Sequence, residues 1–131
     1  MDLNYKTNLI FPIPIHQAID LNVDAWININ PPGAFNVKHN HPASDLAGVL
    51  WIKAPKNSGK IVFDSPNNHS SYHEIESYSE EFKYSSNIYQ TFYFIPTEGT
   101  ILIFPSYLRH LVEENKSEED RISVSFNIQL K

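Results

Sequence analysis

The sequence contains no cysteine, and this absence removes several classes of function at once. A disulfide framework, a thiolate metal site and a cysteine nucleophile are all excluded. If the chain binds a metal, the ligands must therefore come from histidine, aspartate and glutamate.

Positive charge and long apolar runs are scarce as well. Ten Lys and Arg stand against 15 Asp and Glu, the net charge is -5, and the pI is about 5.6. Because nucleic acids are bound through basic surfaces, we expect no nucleic-acid partner. No run approaches the length of a membrane span, and the N-terminus lacks the pattern of a signal peptide. We therefore expect a cytoplasmic protein with no membrane association.

Residues that favour helices are also few. Alanine is rare, and Ile, Val, Tyr, Phe and Thr stand in short runs separated by Pro, Gly, Asn and Ser. This pattern is typical of an all-β sandwich or barrel. At 131 residues and 15.1 kDa the chain is long enough for one hydrophobic core, so we predict a single domain over residues 1–131.

The predicted strands follow the apolar runs and their alternation. A first segment with two prolines suits an edge strand or an extended lead-in, and residues 65–87 are polar, which predicts a long excursion over the barrel. The predicted lead-in and strands are 9–15, 24–30, 35–41, 46–52, 60–63, 88–95, 100–104, 108–112 and 121–130.

Three histidines are the candidate metal ligands. His39 and His41 lie two apart in a predicted strand, so their side chains can converge on one atom. His110 lies among apolar neighbours, where an unpaired imidazole would be costly to bury. Together the three predict a metal cup with open positions. Imidazole suits iron, zinc, copper and nickel alike, so the histidines do not name the metal.

Arg121 and Ser123 suggest what lies beside the metal. Because they are two apart in the last strand, both side chains face the same way, and we expect them to point into the barrel. A guanidinium that points inward needs an anion, either a protein carboxylate or the carboxylate of a ligand. A surface pairing of Arg121 with Asp120 or Glu119 is the alternative.

These segments resemble the 2-oxoglutarate/Fe(II)-dependent oxygenase superfamily, and within it small bacterial and phage members. The resemblance covers roughly residues 26–130. The matching segments are His39-Asn40-His41-Pro42, the apolar strand over 46–52, Gly99 to Ser106, His110, and Arg121-Ile122-Ser123-Val124-Ser125-Phe126-Asn127.

The resemblance implies a double-stranded β-helix, the jelly roll that cupins share. It implies Fe(II) on the inner face of one sheet, with His39 and His110 as ligands. It further implies 2-oxoglutarate as a co-substrate whose far carboxylate is held by Arg121 and Ser123. O2 would take the remaining metal position, and an unidentified prime substrate would be hydroxylated, with no catalytic residue beyond the metal ligands.

The third ligand departs from the usual family pattern of two histidines and one carboxylate. Two residues after His39 stands His41, where an acid is usual. Either the cup has three histidines, or His41 is the first ligand and Asp45 supplies the carboxylate. We favour the three histidines, because Pro42 breaks the strand before Asp45. The tyrosine that many relatives use to reach 2-oxoglutarate is replaced here by Leu50 or Trp51.

Two other functions fit the same residues. One is a cupin-like module that binds a metal or ligand without turnover. The other is a zinc-dependent hydrolase or lyase that uses His39, His41 and His110. Trp26 and Trp51 fit sheet or core packing. The chain is short for this fold and lacks the N-terminal helices that often cover the main sheet, so we also expect a homo-oligomer that covers that face.

Overall fold

A computed structural model describes residues 20–66, 77–86 and 88–131 of the chain. The predicted lead-in at 9–15 lies outside the described residues. Two antiparallel four-stranded sheets face each other, one with the order β1-β8-β3-β6 and the other with the order β2-β7-β4-β5. The elements are β1 (Leu21–Asn30), β2 (Asn36–His39), β3 (Leu46–Lys53), β4 (Ile61–Asp64), α1 (Glu80–Ser86), β5 (Thr91–Phe94), β6 (Ile101–Pro105), β7 (His110–Val112) and β8 (Arg121–Leu130).

The last strand organises the first sheet. β8 pairs with β1 along its whole length, from Leu21 opposite Leu130 to Asn30 opposite Arg121. On its other side β8 pairs with β3, which therefore lies inside the sheet, as its apolar sequence predicted. The strand predicted at 121–130 is confirmed with its boundaries unchanged.

Alternation along β8 separates polar from apolar side chains. Arg121 and Ser123 are buried between the sheets, and Ser125 lines the same interior cavity. Since successive strand residues point to opposite faces, Ile122 and Val124 point outward. β1 has the same arrangement, with Asn28 inside the cavity and the exposed Ile27 outside. These two strands thus turn polar groups inward.

The hydrophobic core occupies the space between the sheets beside that cavity. Its buried members are Ala47, Val49, Trp51, Ile61, Phe63 and Phe104. The Phe63 and Phe104 rings meet edge to face at 4.8 Å between centroids and join the two sheets. Each large side chain buried in this way contributes about 1.5–3 kcal/mol. The predicted packing role of Trp51 is confirmed.

The prediction for β2 was wrong in two respects. The strand runs only from Asn36 to His39, so His41 lies beyond its end. A register irregularity between Asn36 and His39 also breaks the alternation, because a bulge places two residues of one strand opposite one of the next. Val37 was expected on the histidine face, but it is exposed and does not line the cavity, whereas Asn36 does.

A short helix, α1, lies within the polar segment that was predicted as an irregular excursion. Its signal is local: the Ser79 hydroxyl accepts a hydrogen bond from the Phe82 N–H at 3.2 Å, as an N-cap does. Glu80 and Glu81 follow in the first turn, where acidic groups favour the helix dipole. No helix among the described residues is long and apolar enough to cross a membrane.

Candidate metal centre

The three histidines converge although they come from different parts of the chain. His39 ends β2 and stands directly opposite His110, the first residue of β7. His41 follows β2, and its backbone N–H donates to the Ser106 carbonyl at 3.0 Å, which fixes the loop. The candidate ligand atoms of the three side chains all lie within 4.8 Å of one another. The three imidazoles could therefore hold one metal ion.

Backbone carbonyls orient two of the rings in the same way. His39 Nδ1 lies 2.7 Å from the Val37 carbonyl, and His110 Nδ1 lies 2.9 Å from the Leu108 carbonyl. A carbonyl oxygen can only accept, so each Nδ1 carries a proton, and in the neutral ring Nε2 then keeps its lone pair. For His110 that lone pair faces His41 Nε2 at 3.4 Å. This is how proteins prepare histidine for a metal.

Burial keeps the central histidines neutral. Desolvation lowers the pKa of His110 to about 4; the Leu108 carbonyl opposes this, and His39 and His41 add to it. The rings of Phe104 and Phe63, with centroids 4.9 Å and 5.4 Å from that of His110, provide the apolar surroundings. Burial and then His39 lower the pKa of His41, against an opposing hydrogen bond with Asn127. Neutral imidazole is the form that binds metals.

Arg121 is the most deeply buried charged residue of the interior, with 2% of its surface exposed. Its Nη1 donates to the carbonyls of Ser58 and Glu113. Gly59 makes room for the guanidinium, because a Cβ there would lie 2.9 Å from Nη1 and closer still to the Glu113 carbonyl. Burial lowers the pKa of Arg121, but guanidinium stays protonated in proteins. The structure thus holds a fixed cation inside the sandwich.

One nitrogen of this cation has no partner in the described part of the chain. Arg121 Nη2 is buried without a hydrogen bond to any described residue. An unpaired donor on a buried charge is costly, so such a group indicates a missing acceptor. Within the described part of the chain, the guanidinium donates to backbone carbonyls, and Glu119 instead forms an ion pair with Lys53. The alternative of a surface ion pair with Asp120 or Glu119 is therefore wrong.

A cavity of about 100 Å³ connects the histidines with the arginine. Its wall along β8 is polar, with Ser123 and Ser125 between Arg121 and the metal cup. The Asn28 amide donates to the Ser125 hydroxyl at 2.7 Å and continues this polar wall onto β1. All three histidines line the same cavity. The structure thus brings the five predicted site residues around one space; their roles as ligands stay predictions.

Asp45, the alternative third ligand, has another role in the structure. Its carboxylate accepts a hydrogen bond from the Leu130 N–H at 2.8 Å, and its own N–H donates to the Ile128 carbonyl at 2.9 Å. It therefore secures the end of β8 and does not belong to the group of converging ligand atoms. Leu50 and Trp51 are the two residues predicted to replace the tyrosine that many relatives use to reach 2-oxoglutarate. Trp51 lines the cavity and Leu50 does not.

Sequence reasoning missed three polar or aromatic neighbours of the site. Trp26 was assigned to packing, but it is 40% exposed and its ring lies 6.2 Å from that of His41. Asn28 lines the cavity, and Asn127 contacts His41. The alternation of β1 was the available signal, since Trp26 and Asn28 stand on its polar face. Asn127 continues the inward row that Arg121 begins.

These features define a β-sandwich whose interior could hold a metal ion next to an anion. The chain belongs to the family described as "Putative 2OG-Fe(II) oxygenase", whose model matches residues 24–127. Membership confirms the resemblance drawn from the sequence, and the family implies Fe(II) as the metal and 2-oxoglutarate as the co-substrate. The three histidines are a group that could hold such a metal.

Solved structures share the fold at low sequence identity. An oxidoreductase of the 2OG-Fe(II) oxygenase family from Burkholderia pseudomallei is 15% identical, with a TM-score of 0.63, over 86% of this chain and 46% of that one. A Pseudomonas putida prolyl-4-hydroxylase is 15% identical, with a TM-score of 0.60, over 89% and 56%. The α-ketoglutarate-dependent epimerase SnoN from nogalamycin biosynthesis is 11% identical, with a TM-score of 0.60, over 86% and 50%.

The likeness confirms the predicted jelly-roll fold. The chain spans about half the length of these solved structures. Among curated proteins, none matches the sequence.

Proposed function

We propose that this chain binds Fe(II) through His39, His41 and His110, binds 2-oxoglutarate through Arg121 and Ser123, and acts as a dioxygenase that hydroxylates a prime substrate. The observation that carries the proposal is the unpaired Nη2 of Arg121, buried in the wall of the same cavity that the histidines line. A cation with a free donor beside a metal cup matches a co-substrate that has a carboxylate at one end and a metal-chelating group at the other.

The donor set fits a divalent metal of intermediate softness. It consists of imidazole nitrogens alone, which suit iron as well as zinc. His39 and His110 have their Nδ1 protons committed to carbonyls, so their Nε2 atoms are free to coordinate. A cup that supplies three ligands leaves metal positions for a chelating co-substrate and for O2.

The charge of the cavity favours a dianion. No Asp or Glu lines the cavity among the described residues, and the three histidines bring no negative charge. A divalent metal and Arg121 would together place three positive charges in a largely enclosed space. 2-Oxoglutarate carries two negative charges, one at each end, and would neutralise most of this excess. Desolvated charges of this size need such compensation.

Each residue then has a definite task. When bound, Fe(II) and 2-oxoglutarate supply the O2 chemistry that couples conversion of 2-oxoglutarate to succinate and CO2 with oxidation of the prime substrate. Arg121 and Ser123 fix the far carboxylate and so orient the co-substrate towards the histidines. Phe63 and Phe104 exclude water behind His110. The Leu108 carbonyl keeps the His110 proton on Nδ1.

Turnover of the co-substrate tests the proposal. With Fe(II), ascorbate and O2, the protein should convert 2-oxoglutarate slowly to succinate even without its prime substrate. Arg121→Met should abolish succinate formation, because it removes the cation and keeps much of the side-chain volume. Arg109→Met is the matched control: Arg109 is the other arginine of the chain, and it is exposed.

Two results would replace the proposal. Tight zinc binding without any affinity for 2-oxoglutarate would favour the hydrolase or lyase interpretation. Binding of both Fe(II) and 2-oxoglutarate without succinate from any substrate pool would favour a cupin-like binding module.

A further inference from the structure

The outer face of the sheet β1-β8-β3-β6 carries almost only apolar side chains. It is called the outer face below, and it consists of the residues that point away from the cavity on these strands. The register of the strands places them side by side: Leu21, Val23, Ala25, Ile27 and Ile29 of β1, Ile122, Val124, Phe126, Ile128 and Leu130 of β8, Leu46, Gly48 and Leu50 of β3, and Ile101 and Ile103 of β6. None of them is charged.

No described residue covers this face. Ile27 is 68% exposed, and Ile29, Leu21 and Ile101 are also largely exposed. A soluble sheet with one solvated face normally turns its apolar side chains inward and its polar ones outward. Here the order is reversed on β1 and β8, whose polar side chains line the cavity. A continuous apolar area of this kind indicates a contact surface.

The outer face is also flat, which suits a broad contact. Phe126 lies over Gly48, and a Cβ at Gly48 would overlap the phenyl ring. The glycine therefore lets the largest side chain of the face lie down on β3 instead of projecting from the sheet. At one end of the face Lys53 and Glu119 form an ion pair at 2.7 Å. An apolar face with charged groups at its edge is typical of a protein interface.

We propose that the outer face binds the outer face of a second copy of this chain. Its size supports this partner. At about 3.3 Å per residue and about 4.8 Å per strand, the four strands present roughly 500 Å² of projected surface. Two copies would bury about 1,000 Å², the area at which a specific interface becomes tenable. A face without charge suits a partner that brings the same apolar chemistry, and identical faces pack about a two-fold axis.

A single extended segment fits less well. One extended segment lying on the sheet would cover a width of about 5 Å, whereas the four strands of the face span about 19 Å. The first 19 residues, which lie outside the described residues, are the other candidate occupant from this chain. They enter the test as the alternative. The proposal is independent of the iron and 2-oxoglutarate site, which uses the opposite side of the same strands.

Sedimentation of the full chain with two matched variants tests the proposal. Wild type should have twice the 15.1 kDa mass of the protomer. Ile27→Lys should halve that mass by placing a charge within the contact, on the edge strand β1. Ile95→Lys is the control, because Ile95 is 67% exposed but lies after β5 on the other sheet, and it should stay dimeric. A monomeric wild type, or a dimer that Ile27→Lys leaves intact, would overturn the proposal.

Thiol reactivity provides a second readout that does not require a lysine on the sheet. The chain has no cysteine, so Ile27→Cys and Ile95→Cys each introduce one thiol. In a dimer the thiol of Ile27→Cys should react much more slowly than that of Ile95→Cys, and dilution to the monomer should remove the difference. Equal rates at high concentration would contradict the contact. Protection that persists in the monomer would also overturn it, in favour of coverage by the first 19 residues.

Discussion

The two ends of the interior cavity differ in charge and in how fully their polar groups are hydrogen-bonded. At the histidine end, two rings each donate a hydrogen bond from Nδ1 to the carbonyl two residues earlier. His39 donates to Val37, and His110 donates to Leu108. Both rings are hydrogen-bonded to the protein without a metal. At the arginine end, a permanent cation is buried with one donor unpaired among the described residues. The Nδ1 atoms of these two rings have their hydrogen bonds at the histidine end without any ligand, whereas the arginine end requires an anion.

This difference predicts which end of the cavity each ligand needs for binding. Metal binding should survive the loss of Arg121, because no histidine relies on it for a hydrogen bond. Binding of 2-oxoglutarate should depend on both ends, since one carboxylate meets Arg121 and the other end meets the metal. The predictions below separate the two ends, beginning with the largest expected effect.

Loss of a histidine should remove the metal. His110→Ala is expected to weaken Fe(II) binding by more than about 100-fold, because even loss of a group that only supports a ligand costs roughly 10- to 100-fold. His41→Ala should do the same. Metal content after dialysis measures both. Asp45→Asn is the contrasting variant, and it should retain the metal because its carboxylate is bonded to Leu130. Metal loss in Asp45→Asn with retention in His41→Ala would reverse the ligand assignment.

Loss of the guanidinium should remove the co-substrate and spare the metal. Arg121→Met is expected to weaken 2-oxoglutarate binding by at least about 30-fold, the equivalent of about 2 kcal/mol for a buried charge pair. Calorimetric titration of the metal-loaded protein gives the affinity. Arg109→Met should match wild type. If the two arginine variants bind 2-oxoglutarate equally, the cavity is not where the co-substrate lies.

Loss of the neighbouring hydroxyl should have a smaller effect of the same kind. Ser123→Ala is expected to reduce 2-oxoglutarate affinity about fivefold, since one neutral hydrogen bond contributes about 1 kcal/mol. The same titration measures it, with Ser85→Ala on the exposed side of α1 as control. An effect equal to that of Arg121→Met would show that the serine acts by holding the strand.

The histidine end should also make the metal-free protein sensitive to acid. The pKa of His110 falls from 6.5 to about 4 on folding, so between these values the unfolded chain binds a proton that the folded chain does not. The contribution of the neutral His110 to stability is therefore fully present above pH 6.5 and is lost as the pH falls towards 4. Thermal melting across this range should fall more steeply for wild type than for His110→Gln. Parallel curves would contradict the burial argument.

Much of this arrangement could be predicted from sequence where the chain obeys a simple period. In β8 strict alternation places Arg121 and Ser123 together on the inner face, and the structure agrees. The same rule fails for β2, because side chains do not alternate regularly between the two faces in a four-residue strand with a register irregularity. There the histidines still meet, since β7 and the Ser106 carbonyl position them from outside the strand.

Other features depended on tertiary contacts that no local pattern contains. The carbonyls of Ser58 and Glu113 that hold Arg121 come from two different loops, 63 and 8 residues before it in the chain, and their role follows only from the fold. Trp26 was predicted to pack because indole usually does, yet the polar face of β1 carries it beside His41. The helix α1 was missed although Ser79 and the acidic residues after it are a recognisable start signal.

The central claim is that one cavity holds Fe(II) at the histidine end and 2-oxoglutarate between the metal and Arg121. Anaerobic addition of 2-oxoglutarate to the Fe(II) protein tests it most directly, because a chelated 2-oxo acid gives the iron a weak visible charge-transfer band. We predict that the band appears with wild type and Arg109→Met, saturates at one co-substrate per chain, and is lost at the same concentrations with Arg121→Met. Absence of the band in iron-loaded wild type, or an undiminished band in Arg121→Met, would contradict the account.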